Sequence, residues 1–232
     1  MFKKIYAYFT KFEITLWSLS VISVTVSYFI SGSGSPLSLT ASLIGVTSLI
    51  FAAKGNPLGP TLMVVFSVLY GIISYSFSYY GEMVTYLGMT LPMSVLSLVS
   101  WLRNPSRKSK AEVRVNRIQN KEIVFMTFLT ISVTAVFYYI LKALGTTNLY
   151  PSTFSVTTSF AAAYLTSRRS PYFALWYALN DIVLIVLWVL ATIKDISYVS
   201  VTVCFIVFLF NDLYGFISWK RIERRQKAEE EK

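Results

Sequence analysis

The sequence predicts an all-α polytopic membrane protein with about eight transmembrane helices. Three observations lead there. The chain of 232 residues is 55% hydrophobic, with a mean hydropathy of +0.58 and only 14% charged residues, far from the composition of a soluble domain. Its apolar residues gather into eight stretches, near 13–31, 37–53, 60–79, 84–102, 123–144, 150–166, 172–193 and 197–219, each long enough to cross a bilayer as a helix. The breaks between them carry glycine, proline, serine and charge, as in SGSGSP, KGNPLGP, SRRSP and KDIS, which is turn chemistry.

Charge orders these stretches. All but Lys142 and Lys194 of the 21 Lys and Arg fall in the N-terminal tail (Lys3, Lys4, Lys11), at Lys54, in the link from Arg103 to Lys121, at Arg168 and Arg169, or from Lys220 onward. Eight spans put all of those segments on one side. The positive-inside rule then predicts that both termini are cytoplasmic. The net charge of +10 is thereby explained by a lipid bilayer, with no nucleic acid as partner. The first stretch follows lysines as a signal peptide would. Its apolar run is longer than such a peptide's and no small-residue cleavage site ends it, so it reads as a span.

Several function classes drop out. Histidine is absent and Cys204 is the single cysteine, which excludes imidazole relays, disulfides and most zinc or haem sites. Neither a phosphate-cradling glycine loop, nor a nucleophile with its base, nor a ligand cluster is present. The sequence therefore predicts no cofactor, no metal and no enzyme. A membrane enzyme acting on lipids is the distant alternative, and the only intramembrane carboxylates it would have are Asp181 and Asp212.

The link RNPSRKSKAEVRVNRIQNK divides the chain into halves that resemble each other. Glu13–Val26, EITLWSLSVISVTV, lines up with Glu122–Ala135, EIVFMTFLTISVTA; Lys54–Pro57 matches Arg168–Pro171; Trp101 with Arg103 matches Trp219 with Arg221. Self-similarity on this scale marks a transporter built from repeats. An even number of spans per half makes the repeats parallel, related by an axis along the membrane normal. The link itself is expected to be a solvated loop over anionic head groups.

The stretch Pro171–Trp188, PYFALWYALNDIVLIVLW, is interrupted by polar residues. At helical spacing, Tyr172, Phe173, Trp176, Tyr177, Asn180, Asp181 and Trp188 share one half of the circumference. An amide and a carboxylate at membrane depth mark a substrate path. Trp176 offers a face for stacking on a heteroaromatic ring, Asn180 both donates and accepts, and Asp181 suits hydroxyls, a positive ring or a neighbouring helix. Trp188 fits an interfacial aromatic belt equally well. On the last stretch Asn211, Gly215, Trp219, Phe208 and Cys204 share a face, with Asp212 at its margin. In the first half Phe66 and Ser67 stand where Asn180 and Asp181 do, beside a stripe of Ser67, Tyr70, Ser74 and Ser78 that also serves helix packing. Glu82 is read as a loop charge or a rim contact. The candidate substrate residues are Trp176, Asn180, Asp181, Phe173, Tyr177, Asn211, Trp188, Ser74 and Tyr70.

The motifs AAKGNPLGP, LYGIISYSFSYYGEM, WLRNP, LWYALNDIVLIVLW and NDLYGFISWKR, spread over about residues 13–222, resemble the PnuC family of nicotinamide riboside transporters. The resemblance implies two three-helix units joined by a linking helix, an architecture related to the SWEET sugar transporters and assembled as a homotrimer. The units would be 37–102 and 150–219, with 123–149 as the linking helix. The rest would be an N-terminal tail and additional helix (1–36), a basic cytoplasmic link (103–122) and a cytoplasmic tail (220–232). It further implies a bacterial cytoplasmic membrane, alternating access and facilitated diffusion, with uptake held in one direction by intracellular phosphorylation. The family's site carries over to Trp176 and Asn180. Where the family has two closely spaced tryptophans this chain has Phe173 and Trp176, so the cargo lies between nicotinamide riboside and the thiamine, riboflavin or deoxynucleosides of related Pnu proteins.

Overall fold

Hydrocarbon offers no partner for a backbone N–H or C=O, so a segment that crosses it closes its own hydrogen bonds as a helix. The computed structural model describes residues 8–32, 36–76, 80–107, 109–146 and 148–231; Lys3, Lys4 and Ser78 lie outside the described residues. Eight long helices account for most of the chain: α1 (Lys11–Ser31), α2 (Pro36–Ala53), α3 (Leu58–Ser76), α4 (Tyr80–Arg103), α5 (Asn120–Ala143), α6 (Leu149–Ser167), α7 (Phe173–Lys194) and α8 (Val199–Glu230). Seven of them are long and apolar enough to cross a membrane. The remaining one, α6, is rich in Ser, Thr and Ala and packs among α4, α5 and α7. A helix surrounded by protein has no need of a lipid-soluble surface.

Local chemistry sets several boundaries. α1 opens with a capping box: Thr10 Oγ1 accepts from the Glu13 N–H at 3.2 Å, and Glu13 Oε2 accepts from the Thr10 N–H at 2.7 Å. It closes at Gly32 in the left-handed region. α4 carries a π-helical turn, Tyr86–Thr90, in which the Leu91 N–H bonds the Tyr86 carbonyl. Pro92 follows at once; its ring would crowd the carbonyl four residues back, and the wider turn removes that clash. Glu82, expected as a loop charge or rim contact, lies instead in the first turn of α4, where the helix dipole favours an acid.

Two chains of contacts run through the bundle. α2 packs on α3 and α3 on α4; α6 packs on α7 and α7 on α8. They are joined crosswise, α4 against α6 and α8 against α2, while α1 covers α2 and α8 and α5 lies against α6. The α2–α3 and α6–α7 loops are built alike. Gly55 and Arg169 both take positive φ (+64° and +57°). Gly55 and Asn56 donate to Ala52 O and Phe51 O; Arg169 and Ser170 donate to Thr166 O and Leu165 O at the matching places. The salt bridges at these loops also match, Lys54 with Glu13 at 3.0 Å and Arg168 with Glu122.

Trp101 and Trp219 close this basic end. Both are fully buried, with ring centroids 5.3 Å apart. Trp101 Nε1 donates to the Thr166 carbonyl in the last turn of α6 and Trp219 Nε1 to the Ala52 carbonyl in the last turn of α2, each at 2.8 Å.

The link differs from the expected solvated loop. Pro105 and Val113 form an antiparallel bridge, Val113 is 1% exposed, and Val115 and Ile118 pack against the Trp101–Trp219 cluster. The Val113 N–H bonds the Gly55 carbonyl at 2.8 Å and the Asn116 N–H bonds the Arg169 carbonyl at 3.0 Å, so the link straps both loops. α8 runs through the stretch read as a tail. Its Gln226 accepts from the Val115 N–H at 2.9 Å and donates to Glu112 and to the Val113 carbonyl.

Replacing either indole with phenyl removes a buried hydrogen bond and leaves a void. Trp101→Phe and Trp219→Phe should each destabilise the detergent-solubilised protein by about 2 kcal/mol, with non-additive effects in the double variant because the rings touch; additive melting shifts would contradict the coupling. A Cβ at Gly59 would meet the Ala52 backbone N at 2.7 Å, whereas at Gly71 it would meet only the Leu87 side chain. Gly59→Ala should therefore cut folded yield severely and Gly71→Ala mildly, as size-exclusion profiles would show.

Candidate substrate site

The polar face of α7 begins at the basic end. Phe173 is buried edge-on to Trp219, 5.0 Å between centroids, and Trp176 and Tyr177 pack partly buried against the same cluster. Tyr177 also hydrogen-bonds Thr166 through its side chain. One turn further, Asn180 is held by α6: its Oδ1 accepts from Ser155 Oγ at 2.9 Å and from Thr158 Oγ1 at 2.8 Å. With its carbonyl occupied twice, Asn180 has its NH2 left to offer.

Asp181 points elsewhere. It is 3% exposed, Asp212 on α8 is 5% exposed, and the two carboxyl groups face each other. Asp181 Oδ2 is buried without a hydrogen-bond partner.

The opposing wall comes from α3 and α4. Tyr70 and Tyr86 lie 4.5 Å apart, and both contact Phe66, which in turn faces Phe208 of α8. Tyr86 lies within electrostatic reach of Glu82, Cys204, Asp181 and Tyr177. The π turn of α4 thus brings a tyrosine within reach of Asp181. A cavity of about 50 Å³ adjoins this wall, lined by Phe66, Tyr70, Cys204 and Phe208 and reaching Tyr28, Ser38 and Ser200 toward the end opposite the basic loops. It has room for water and not for a nucleoside, since small-molecule pockets run to roughly 300–1,000 Å³.

The other sequence candidates are spread out. Trp188 pairs with Tyr198, 5.6 Å between centroids, at the far end. Asn211 Nδ2 donates to Ser20 of α1 at 2.9 Å and to the Val207 carbonyl at 2.8 Å, so this amide ties α1 to α8; its Oδ1 is buried without a partner. Ser74 is buried with its Oγ unpartnered. A Cβ on Gly215 would meet Ala174 and Ala53 at ordinary distances, which makes it a packing position. Sequence reasoning missed Tyr86, Ser155 and Thr158. The hydroxyls of α6 carried a signal, since Ser155 and Thr158 lie on a segment too polar for lipid.

Aromatic rings, an amide and paired carboxyls converging from α3, α4, α7 and α8 at the middle of a membrane-length bundle are the interior of a transporter. The sequence profile of the nicotinamide mononucleotide transporter family matches residues 35–221, and the chain belongs to that family. It is a multi-pass membrane transporter. It is 24% identical to the nicotinamide riboside transporter PnuC of Neisseria mucosa over 98% of this chain and 88% of that protein. To the PnuC of Haemophilus influenzae it is likewise 24% identical, over 92% of each. The fold matches the crystal structure of the vitamin B3 transporter PnuC with a TM-score of 0.79 and 22% identity, covering 94% of both chains.

Burying two carboxyl groups against each other is a cost carried for something other than stability. Asp181→Asn and Asp212→Asn, each keeping shape and hydrogen bonding, should leave the melting temperature unchanged or raise it, by up to about 2 kcal/mol of stability. A loss of several kcal/mol in either would make the pair a structural element.

Proposed function

We propose that the protein carries nicotinamide riboside into the cell by alternating access between its two halves, without ATP hydrolysis. The observation that carries this reading is the α7 face itself. Trp176 supplies a ring face beside the Phe173–Trp219 cluster, Asn180 supplies an NH2 fixed by two α6 hydroxyls, and Asp181 with Asp212 supplies negative character. A pyridinium stacks on an indole and is attracted by a carboxylate; the amide suits a carboxamide or ribose hydroxyl. Substrate contact is assigned first to Trp176, Asn180, Asp181, Phe173 and Tyr177, with Tyr70 and Ser74 on the first half's side and Asn211 and Trp188 at the margins.

The same face bears on the phosphate. The segments 58–76, 80–102, 149–167, 173–193 and 199–219 of α3, α4, α6, α7 and α8 carry no Lys or Arg, so a mononucleotide's phosphate would enter a chamber holding carboxyls and no cation. Electrostatics favours the riboside over its phosphorylated form.

The matched loops, salt bridges and reciprocal indole bonds support two parallel three-helix repeats, 37–102 and 150–219, joined by α5 and preceded by α1. The basic residues gathered at one end support cytoplasmic termini in a bacterial cytoplasmic membrane. Assembly is proposed as a homotrimer, with the exposed face of α5 (Phe125, Phe128, Ile131) available to lipid or a neighbouring subunit.

The decisive experiment is a thermal-shift screen of purified protein against nicotinamide riboside, its mononucleotide, thiamine, riboflavin and deoxynucleosides. Nicotinamide riboside should stabilise the native protein. Trp176→Ala and Asn180→Ala should each lose that shift, equivalent to at least about a tenfold fall in affinity, while melting cooperatively on their own. A thiamine response with none to the riboside would change the cargo, and unaltered responses in both variants would move the site.

A further inference from the structure

The two loops at the basic end match in their turn-closing backbone bonds and contrast most at one position. Where the α2–α3 loop places Gly55 at φ +64°, the α6–α7 loop places Arg169 at φ +57°. Glycine takes that conformation freely and a residue with a Cβ does not. The arginine is also electrostatically unmet. Glu122 is engaged by Arg168, Glu112 by Arg225, Glu230 by Arg114, and Glu223 by Lys220 and Arg117. Arg169 forms no ion pair among the described residues, and its Nε is buried without a hydrogen-bond partner. Burial, then the neighbouring charges of Arg168 and Arg114, pushes its guanidinium below the ordinary value. The backbone around it is nevertheless fixed, its N–H on Thr166 O at 2.9 Å and its carbonyl on the Asn116 N–H at 3.0 Å.

A cation that is partly desolvated, crowded by two like charges and held in a rigid turn lacks an anion. We propose that the junction of the α6–α7 loop with the link is a phosphate-binding site, with Arg169 as the contacting fork beside the ion-paired Arg168 and Arg114. Guanidinium donors match phosphate oxygens in pairs. The phosphate belongs to a soluble ester or to an anionic lipid head group. In either case its binding fixes the link to the loop that starts α7, and so bears on the base of the substrate helix.

Thermal melts of the full chain test this independently of transport. Native protein in uncharged detergent is titrated with inorganic phosphate and with a nucleoside monophosphate; in parallel it is placed in nanodiscs of phosphatidylglycerol or phosphatidylcholine. Arg169→Gly, suited to φ +57°, and Arg169→Gln are compared in each arm. A rise of about 3–8 °C at saturation in the native protein, lost in both variants, confirms the site. Its appearance with soluble phosphates assigns a soluble ester, and its appearance only in phosphatidylglycerol assigns a lipid. Equal responses of native protein and variants, or no response of the native protein in any arm, overturn the proposal.

Discussion

Two indole N–H bonds hold the basic end of the bundle, and much else is positioned from them. Trp101 and Trp219 each reach from the last helix of one half to a carbonyl in the last turn of the other half's first helix. Those carbonyls also accept the N–H of the left-handed residue in their own loops, so each is a node where a helix end, a turn and a distant helix meet. Terminal carbonyls lack partners within the helix, and in a protein-filled end with little water they have to find them nearby. Phe173, the first residue of α7, rests its edge on Trp219. The register of Trp176 and Asn180 relative to α6 and α8 follows from that contact.

Most of the helical layout was legible because lipid imposes one solution on every spanning segment. What escaped the sequence are the places where protein replaces lipid or water as the surroundings. α6 falls short of the apolarity of its neighbours because helices enclose it, and its Ser155 and Thr158 spend their hydroxyls on Asn180 rather than on packing alone. The link looked solvated because of its seven basic residues, yet Val113, Val115 and Ile118 alternate with them and turn inward. Charge dominates a composition count, whereas Val113 and Val115 at alternate positions, with Ile118 beyond them, are enough to dock the segment. The α8 extension has a tail's composition for the same reason, yet its Gln226 holds the link.

The site was legible by half. Helical spacing gathers Phe173, Trp176, Tyr177, Asn180 and Asp181, and all lie on one α7 surface directed at other helices. Spacing on a single helix says nothing of which neighbour each residue meets. Asn180 and Asp181 are adjacent in sequence and part company in space, one to the hydroxyls of α6, the other to Asp212 on α8. Asn211 shares its polarity with Asp212 and turns instead to Ser20 of α1. Tyr86 gave no signal, because a π turn set by Pro92 changes the direction of a side chain without changing the apolar pattern around it.

The two halves differ in the chemistry they bring to the interior. Where α7 has Asn180 and Asp181, α3 has Phe66 and Ser67; Phe66 lies over Gly45 together with Phe208, filling space that a polar pair would have opened to water. The aromatic wall meets α8 through Phe66 and Phe208, and the cavity of about 50 Å³ beside it is lined from α1, α2, α3 and α8, with neither Asp181 nor Asp212 in its lining. The indole bonds and the strap across both loops hold the basic end together, and the cavity lies toward the other end, where Tyr28, Ser38 and Ser200 line it. One set of interactions therefore determines both where α7 starts and how the two loops and the link are held to each other.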